Sequence, residues 1–183
     1  NSLLVEEAST LVGEWYGPVI YSYINEDGVS RGKDEFYATM IFYQSGDRRN
    51  ALSGSGIEVD EVYDEKGNVV DSQNLKFTWY IDNNRNIYIK YTNSGATFVL
   101  DAGASQTGFH LGAEKGKNRY TFYGYMIGVG NAKGDIINFD FEEVPTGYAK
   151  KLTRSAGGSA NTFGKASGIR KMTGAEKKLN DRR

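Results

Sequence analysis

The sequence predicts an all-β fold, an antiparallel up-and-down β-barrel, followed by a basic low-complexity C-terminal tail. Three observations carry this. The 183 residues hold 13 Tyr, 9 Phe and 23 Gly against 2 Pro, a mixture that favours short strands joined by tight turns. Apolar and polar residues alternate at period two in segment after segment up to Val144. Charge then divides the chain. Residues 1–144 carry 12 Lys/Arg and 21 Asp/Glu, whereas residues 145–183 carry 10 and 2.

The strands follow in order. Glu14 to Ile24 (EWYGPVIYSYI) reads as the first, with an edge, bulge or bend at Pro18, which cannot donate to a ladder. Asn25-Glu-Asp-Gly turns into the second, Glu35 to Tyr43, and Ser45-Gly-Asp turns out of it. Ser55 to Tyr63 is the third, with Gly54 and Gly56 suggesting a bulge. Glu65-Lys-Gly-Asn leads towards the fourth, Leu75 to Asp82, which hairpins through Asn83-Asn-Arg-Asn into the fifth, Asn86 to Thr92. Thr97 to Asp101, Thr107 to Leu111, Arg119 to Ile127 and Asp135 to Val144 complete a set of nine. Val5-Glu-Glu-Ala-Ser-Thr reads as a polar lead before Leu11-Val-Gly.

Short connections between neighbours favour a meander, and a meander of eight or more strands removes its exposed edges by closing into a barrel. Strand parity sets Phe77, Trp79 and Ile81 opposite Lys76, Thr78 and Tyr80. It likewise sets Ile87, Ile89 and Tyr91 together, Phe98 with Leu100, and Ile137 with Phe139 and Phe141. These apolar sets are expected to face inward. Beyond residue 144 the chain has Tyr148 and Phe163 as its aromatic residues, too little apolar mass to offset its ordering entropy by burial. The domain is therefore expected over 1–144, with strands from about residue 13. Residues 145–183 form a basic tail, flexible or with one short helix at Met172–Leu179, where Thr173 and Glu176 have capping-box spacing.

Gly13-Glu14-Trp15 at the start of the first strand resembles the G-x-W signature of lipocalins, and avidin-like barrels begin similarly. Met40-Ile-Phe-Tyr-Gln-Ser-Gly-Asp, the Phe77-Thr-Trp-Tyr-Ile-Asp hairpin into Asn86-Ile-Tyr-Ile, and Phe139-Asp-Phe-Glu resemble lipocalin-like domains of envelope proteins from gut Gram-negative bacteria. The resemblance covers roughly residues 10 to 144. It implies a barrel with Trp15 buried at one end, in an exported protein of the periplasm or outer-membrane surface. It further implies possible membrane attachment through a lipidated N-terminus removed with the leader. It implies no defined substrate.

Several function classes are disfavoured by composition. No Cys and one His leave no thiolate nucleophile, no Cys-ligated zinc and no multi-His metal site. No apolar run reaches the roughly 18 residues of a membrane helix. His110, opposite Phe109 and Leu111, reads as a solvated surface residue. Glu58 with Asp60 and Asp140 with Glu142 share strand faces at distances glycosidase carboxylates also use, but any strand supplies that spacing. Asp64-Glu-Lys-Gly-Asn and Asp82-Asn-Asn-Arg-Asn are turn chemistry without calcium-loop spacing. Gly128-Val-Gly-Asn-Ala-Lys-Gly joins two strands, with no helix N-terminus to hold a phosphate. The tail charges lack the aromatic interleaving of a nucleic-acid site and suit docking onto the acidic body.

The expectation is a monomeric, non-enzymatic binding protein without cofactor, metal or nucleic-acid partner. Its barrel mouth takes a small hydrophobic or amphipathic molecule. Trp15, Tyr21, Tyr23, Met40, Phe42, Phe77, Trp79, Tyr91, Phe109, Tyr120 and Phe122 are the candidate interior ligand-binding residues. Inward tyrosines suit an amphipathic ligand. The alternative is an envelope interaction protein whose barrel is plugged by these same rings and which binds a protein or glycan through loops or outer face. An enclosed volume of about 300 Å³ or more separates the first from the second.

Overall fold

The computed structural model describes residues 2–46 and 51–145. The tail expected from 145, with its short helix, lies outside them but for Pro145. A helix α1 (Ser2–Leu11) precedes nine antiparallel strands: β1 (Gly13–Ile24), β2 (Arg31–Gln44), β3 (Ser53–Tyr63), β4 (Val69–Ile81), β5 (Ile87–Tyr91), β6 (Thr97–Leu100), β7 (Phe109–Gly112), β8 (Thr121–Val129) and β9 (Ile136–Glu143). The sheet runs β6-β5-β4-β3-β2-β1-β9-β8-β7, and β6 also pairs with β8. β8 meets β7 through Thr121–Gly124 and β6 through Ile127–Val129. Two short strands thus share one position, and the nine strands make an eight-strand, up-and-down closed barrel.

The predicted parity holds throughout the apolar strands. Phe77, Trp79, Ile81, Ile87, Ile89, Tyr91, Phe98, Leu100, Ile137, Phe139 and Phe141 are all buried. Pro18 sits opposite Tyr37 of β2, at a point where the β1–β9 ladder skips from Tyr16 to Val19. A proline cannot donate there. Gly17 lies so close to the Asp140 carbonyl that no β-carbon would fit.

Two differences from the sequence reading have physical causes. The polar lead is a helix, because Leu4, Ala8 and Leu11 recur at helical spacing and enter the core. Trp15 is buried, and its indole N–H donates to the Leu11 carbonyl at 2.8 Å. Glu7 of the same helix meets Arg85 in the β4–β5 turn at 3.2 Å. α1 therefore closes the Trp15 end of the barrel. β4 begins at Val69 rather than Leu75 because Asp71, Ser72 and Gln73, polar and unpromising as strand, pair with Val62, Glu61 and Asp60.

Candidate functional site

Most of the expected interior residues do point inward. Trp15, Tyr21, Met40, Phe42, Phe77, Trp79, Tyr91 and Phe122 are buried, and Tyr23 and Phe109 pack half-buried against the same core. Tyr120 does not. It lies just before β8 and is 44% exposed, because the strand begins one residue later than the parity argument needs. His110 faces outward as expected and stacks on Tyr123 at 4.9 Å.

These rings fill the barrel. Phe122 touches Trp15, Phe42, Phe109, Phe139 and Phe141 with centroids 4.8 to 6.4 Å apart. Edge contacts continue from Phe42 to Phe77, on to Tyr91, Phe98 and Tyr21. Such pairs add to the area term of burial. The interior cavity lined by Tyr21, Met40, Glu58, Asp60, Tyr91 and Met126 holds about 10 Å³, room for one water molecule. The expected interior residues thus form a buried aromatic core.

Beside that space lies a polar cluster which parity alone had not placed. Glu58 and Asp60 face inward from β3 and are buried. Tyr91 donates its hydroxyl to Glu58 Oε1 at 2.5 Å, and Gln73 donates to Asp60 Oδ2 at 2.8 Å. Burial, then the neighbouring Glu58 charge, raises the Asp60 pKa well above the usual carboxylate range. Burial and the adjacent carboxylate thus both favour the neutral form of Asp60. Tyr91 is raised too, by burial first and then by these carboxylates. Tyr21 donates to Asp135 at 2.6 Å. The cavity beside these carboxylates has room for one water molecule. Among the described residues no group of three or more His, Asp or Glu side chains could hold a metal.

No family model, curated protein or solved structure matches this chain.

Two larger grooves open on the barrel surface. One, about 820 Å³, runs beside Pro18, Glu35, Tyr37, Glu61 and Tyr63 and reaches the core side chains Val19 and Phe36, which also line the interior cavity. It exists because β2 pairs with β3 only from Tyr37 onward, leaving residues 31–36 paired with β1 alone. A second, about 680 Å³, is lined by Tyr16, Tyr37, Tyr123, Tyr125, Asp140 and Glu142 among others. Pro18 and Tyr37 line both. Tyr16 stacks on Tyr37 at 5.8 Å, and Tyr63 meets Tyr37 edge-on at 5.6 Å. Tyr63 donates to Glu61 at 3.1 Å. Burial raises the pKa of both, so the phenol stays protonated. Together the linings carry six carboxylates (Asp34, Glu35, Glu61, Glu114, Asp140, Glu142) and two lysines (Lys33, Lys117). Sequence reading had placed Asp140 and Glu142 on the outer face but had not joined them to Tyr16 and Tyr37. That juxtaposition depends on β1 lying between β2 and β9.

Proposed function

We propose that the protein is a non-enzymatic interaction module that binds a cationic segment of a partner protein on its outer wall, around Tyr16, Tyr37 and Tyr123. The observation that carries this reading is the contrast, among the described residues, between an interior cavity of about 10 Å³ and surface grooves of about 820 and 680 Å³. Exposed tyrosine faces attract Lys and Arg, each contact contributing about 0.5–1 kcal/mol at an exposed site. The surrounding excess of carboxylates adds steering and selects against anionic partners. The lipocalin-like resemblance supports a setting at the envelope of an exported protein, where such a module works as a monomeric adaptor.

The test is calorimetric titration of the full chain with three probes: an Arg/Lys-rich peptide, an acidic peptide of equal length, and a neutral oligosaccharide. The reading expects saturable binding of the basic peptide alone, weakened by salt and by Asp140→Lys. Saturable oligosaccharide binding that Tyr37→Ala abolishes would replace it with a glycan-binding role. Absence of basic-peptide binding at low salt would overturn it.

A further inference from the structure

We propose that the basic C-terminal segment, residues 146–183, docks on the acidic tyrosine face of its own barrel and competes there with any cationic partner. The proposal deepens the reading above by naming what regulates the same face.

Three observations lead to it. The first is charge. Residues 145–183 carry 10 Lys/Arg against 2 Asp/Glu, while residues 1–144 carry 12 against 21. The groove along β8 and β9 has Glu114, Asp140 and Glu142 on its walls and Lys117 as its one lysine. Lys117 is already engaged with Glu142 at 3.3 Å.

The second is where the described chain ends. Tyr16 is paired with Glu142, and the Val144 amide donates to the Glu14 carbonyl at 2.9 Å. Tyr16 and Glu142 both line the groove. The chain therefore leaves the barrel at the rim of that groove, not at a remote edge. Pro145 ends the strand, and Gly147 supplies a residue suited to reversing the chain.

The third is reach. Lys150 and Lys151 follow Pro145 by five and six residues, an extended span of up to about 17–20 Å. The outward positions Glu142, Asp140 and Asn138 lie along five residues of β9, about 13 Å from first to last. A chain that folds back thus brings Lys150, Lys151 and Arg154 against Asp140 and the Tyr123 and Tyr125 rings. Tethering holds such a segment at an effective concentration of order millimolar, enough for weak charge pairs to matter and low enough for a partner to displace it. The attraction weakens as the Debye length falls from about 10 Å at 0.1 M salt to about 3 Å at 1 M.

The chain contains no Cys, so Ser155→Cys in the full-length protein gives one site for a nitroxide label. The ¹⁵N spectrum of that protein at low salt should lose most of the amide signal of Tyr123, Tyr125, Asn138 and Asp140. The signals should return at high salt and in the Asp140→Lys variant, whose exposed strand position tolerates the change. Loss confined to residues next to the tether, or loss indifferent to salt and to Asp140→Lys, would overturn the proposal. A mixture of nitroxide-labelled, unenriched chain with unlabelled ¹⁵N chain separates the remaining case: signal loss there would assign the contact to a second copy and overturn intramolecular docking. No partner is added in this experiment, so its failure and the failure of peptide binding are read independently.

Discussion

Gly56 lies against the ring of Phe77. A β-carbon on Gly56 would overlap Phe77 Cζ and approach the Ile41 carbonyl oxygen to 2.6 Å. Gly54, one inward position away, similarly leaves room for the Trp79 indole, whose N–H donates to the Tyr43 and Ser55 carbonyls. These two glycines let β3 turn its polar face inward. The same parity that puts Gly54 and Gly56 under aromatic rings puts Glu58 and Asp60 inside the barrel, with Ile57 and Val59 on the opposite face of the strand, where Val59 is also buried.

Gly56→Ala should therefore destabilise the protein by about 2 kcal/mol or more, as overpacking does in a filled core. Gly103→Ala, whose new carbon would meet nothing nearer than Asp101 Oδ1 at 3.5 Å, should be close to neutral. Urea unfolding of the two variants beside the parent checks both. Equal midpoints for all three would mean that the β3 glycines do not set the register.

This relationship also shows what the sequence could and could not disclose. Where one face of a strand is apolar, as in β4 from Leu75, β5 and β9, alternation alone placed the inner residues correctly. In β3 alternation misleads, since Ile57 and Val59 look like the core face. The cue was there in Gly54 and Gly56, but it needs Phe77 and Trp79 across the ladder to be understood. α1 was hidden for a simpler reason: ten residues with two glutamates resemble a polar lead, and its Leu4, Ala8 and Leu11 stripe matters only once a barrel end needs closing. The outer tyrosine face joins Tyr16, Tyr37 and Tyr123 from three strands distant in sequence, and no local spacing encodes that.

The buried acid pair predicts an unusual pH dependence. The Asp60 pKa is raised by folding, so between the unfolded value near 4 and the folded value the native state binds more protons than the unfolded chain. Its contribution to stability is complete below about pH 4 and is lost as pH rises, at up to about 1.4 kcal/mol per pH unit. Asp60→Asn cannot ionise, retains a carbonyl for Gln73 and offers an N–H to Glu58. It should be more stable than the parent at pH 8 and should flatten the decline between pH 5 and 8. Denaturant midpoints across that range decide the matter; a variant less stable than the parent at every pH would contradict a cost of ionising Asp60 in the fold.

Glu7 gives a second case, in which a cation opposes the effect of burial. Its side chain is 4% exposed and its partner Arg85 is 57% exposed. Burial raises the Glu7 pKa, and Arg85 pulls it back. Arg85→Met removes the charge while keeping a stem, so Glu7 must either stay buried unpaired or hold a proton. The loss should be about 1–3 kcal/mol near neutral pH and should shrink as the pH falls and protonation of Glu7 removes the unpaired charge. A pH-independent loss would locate the effect in packing of the turn instead.

On the proposed reading the barrel is filled and binds on its outside. The chain has three methionines, of which Met40 and Met126 line the interior cavity and Met172 lies in the tail. Methyl NMR of protein labelled at the methionine methyls, titrated with a long-chain fatty acid and with an amphipathic dye, therefore reads the interior directly. The account predicts that the Met40 and Met126 methyl signals stay in place throughout. Saturable shifts of both, with Met172 unmoved, would show a ligand inside the barrel and contradict it.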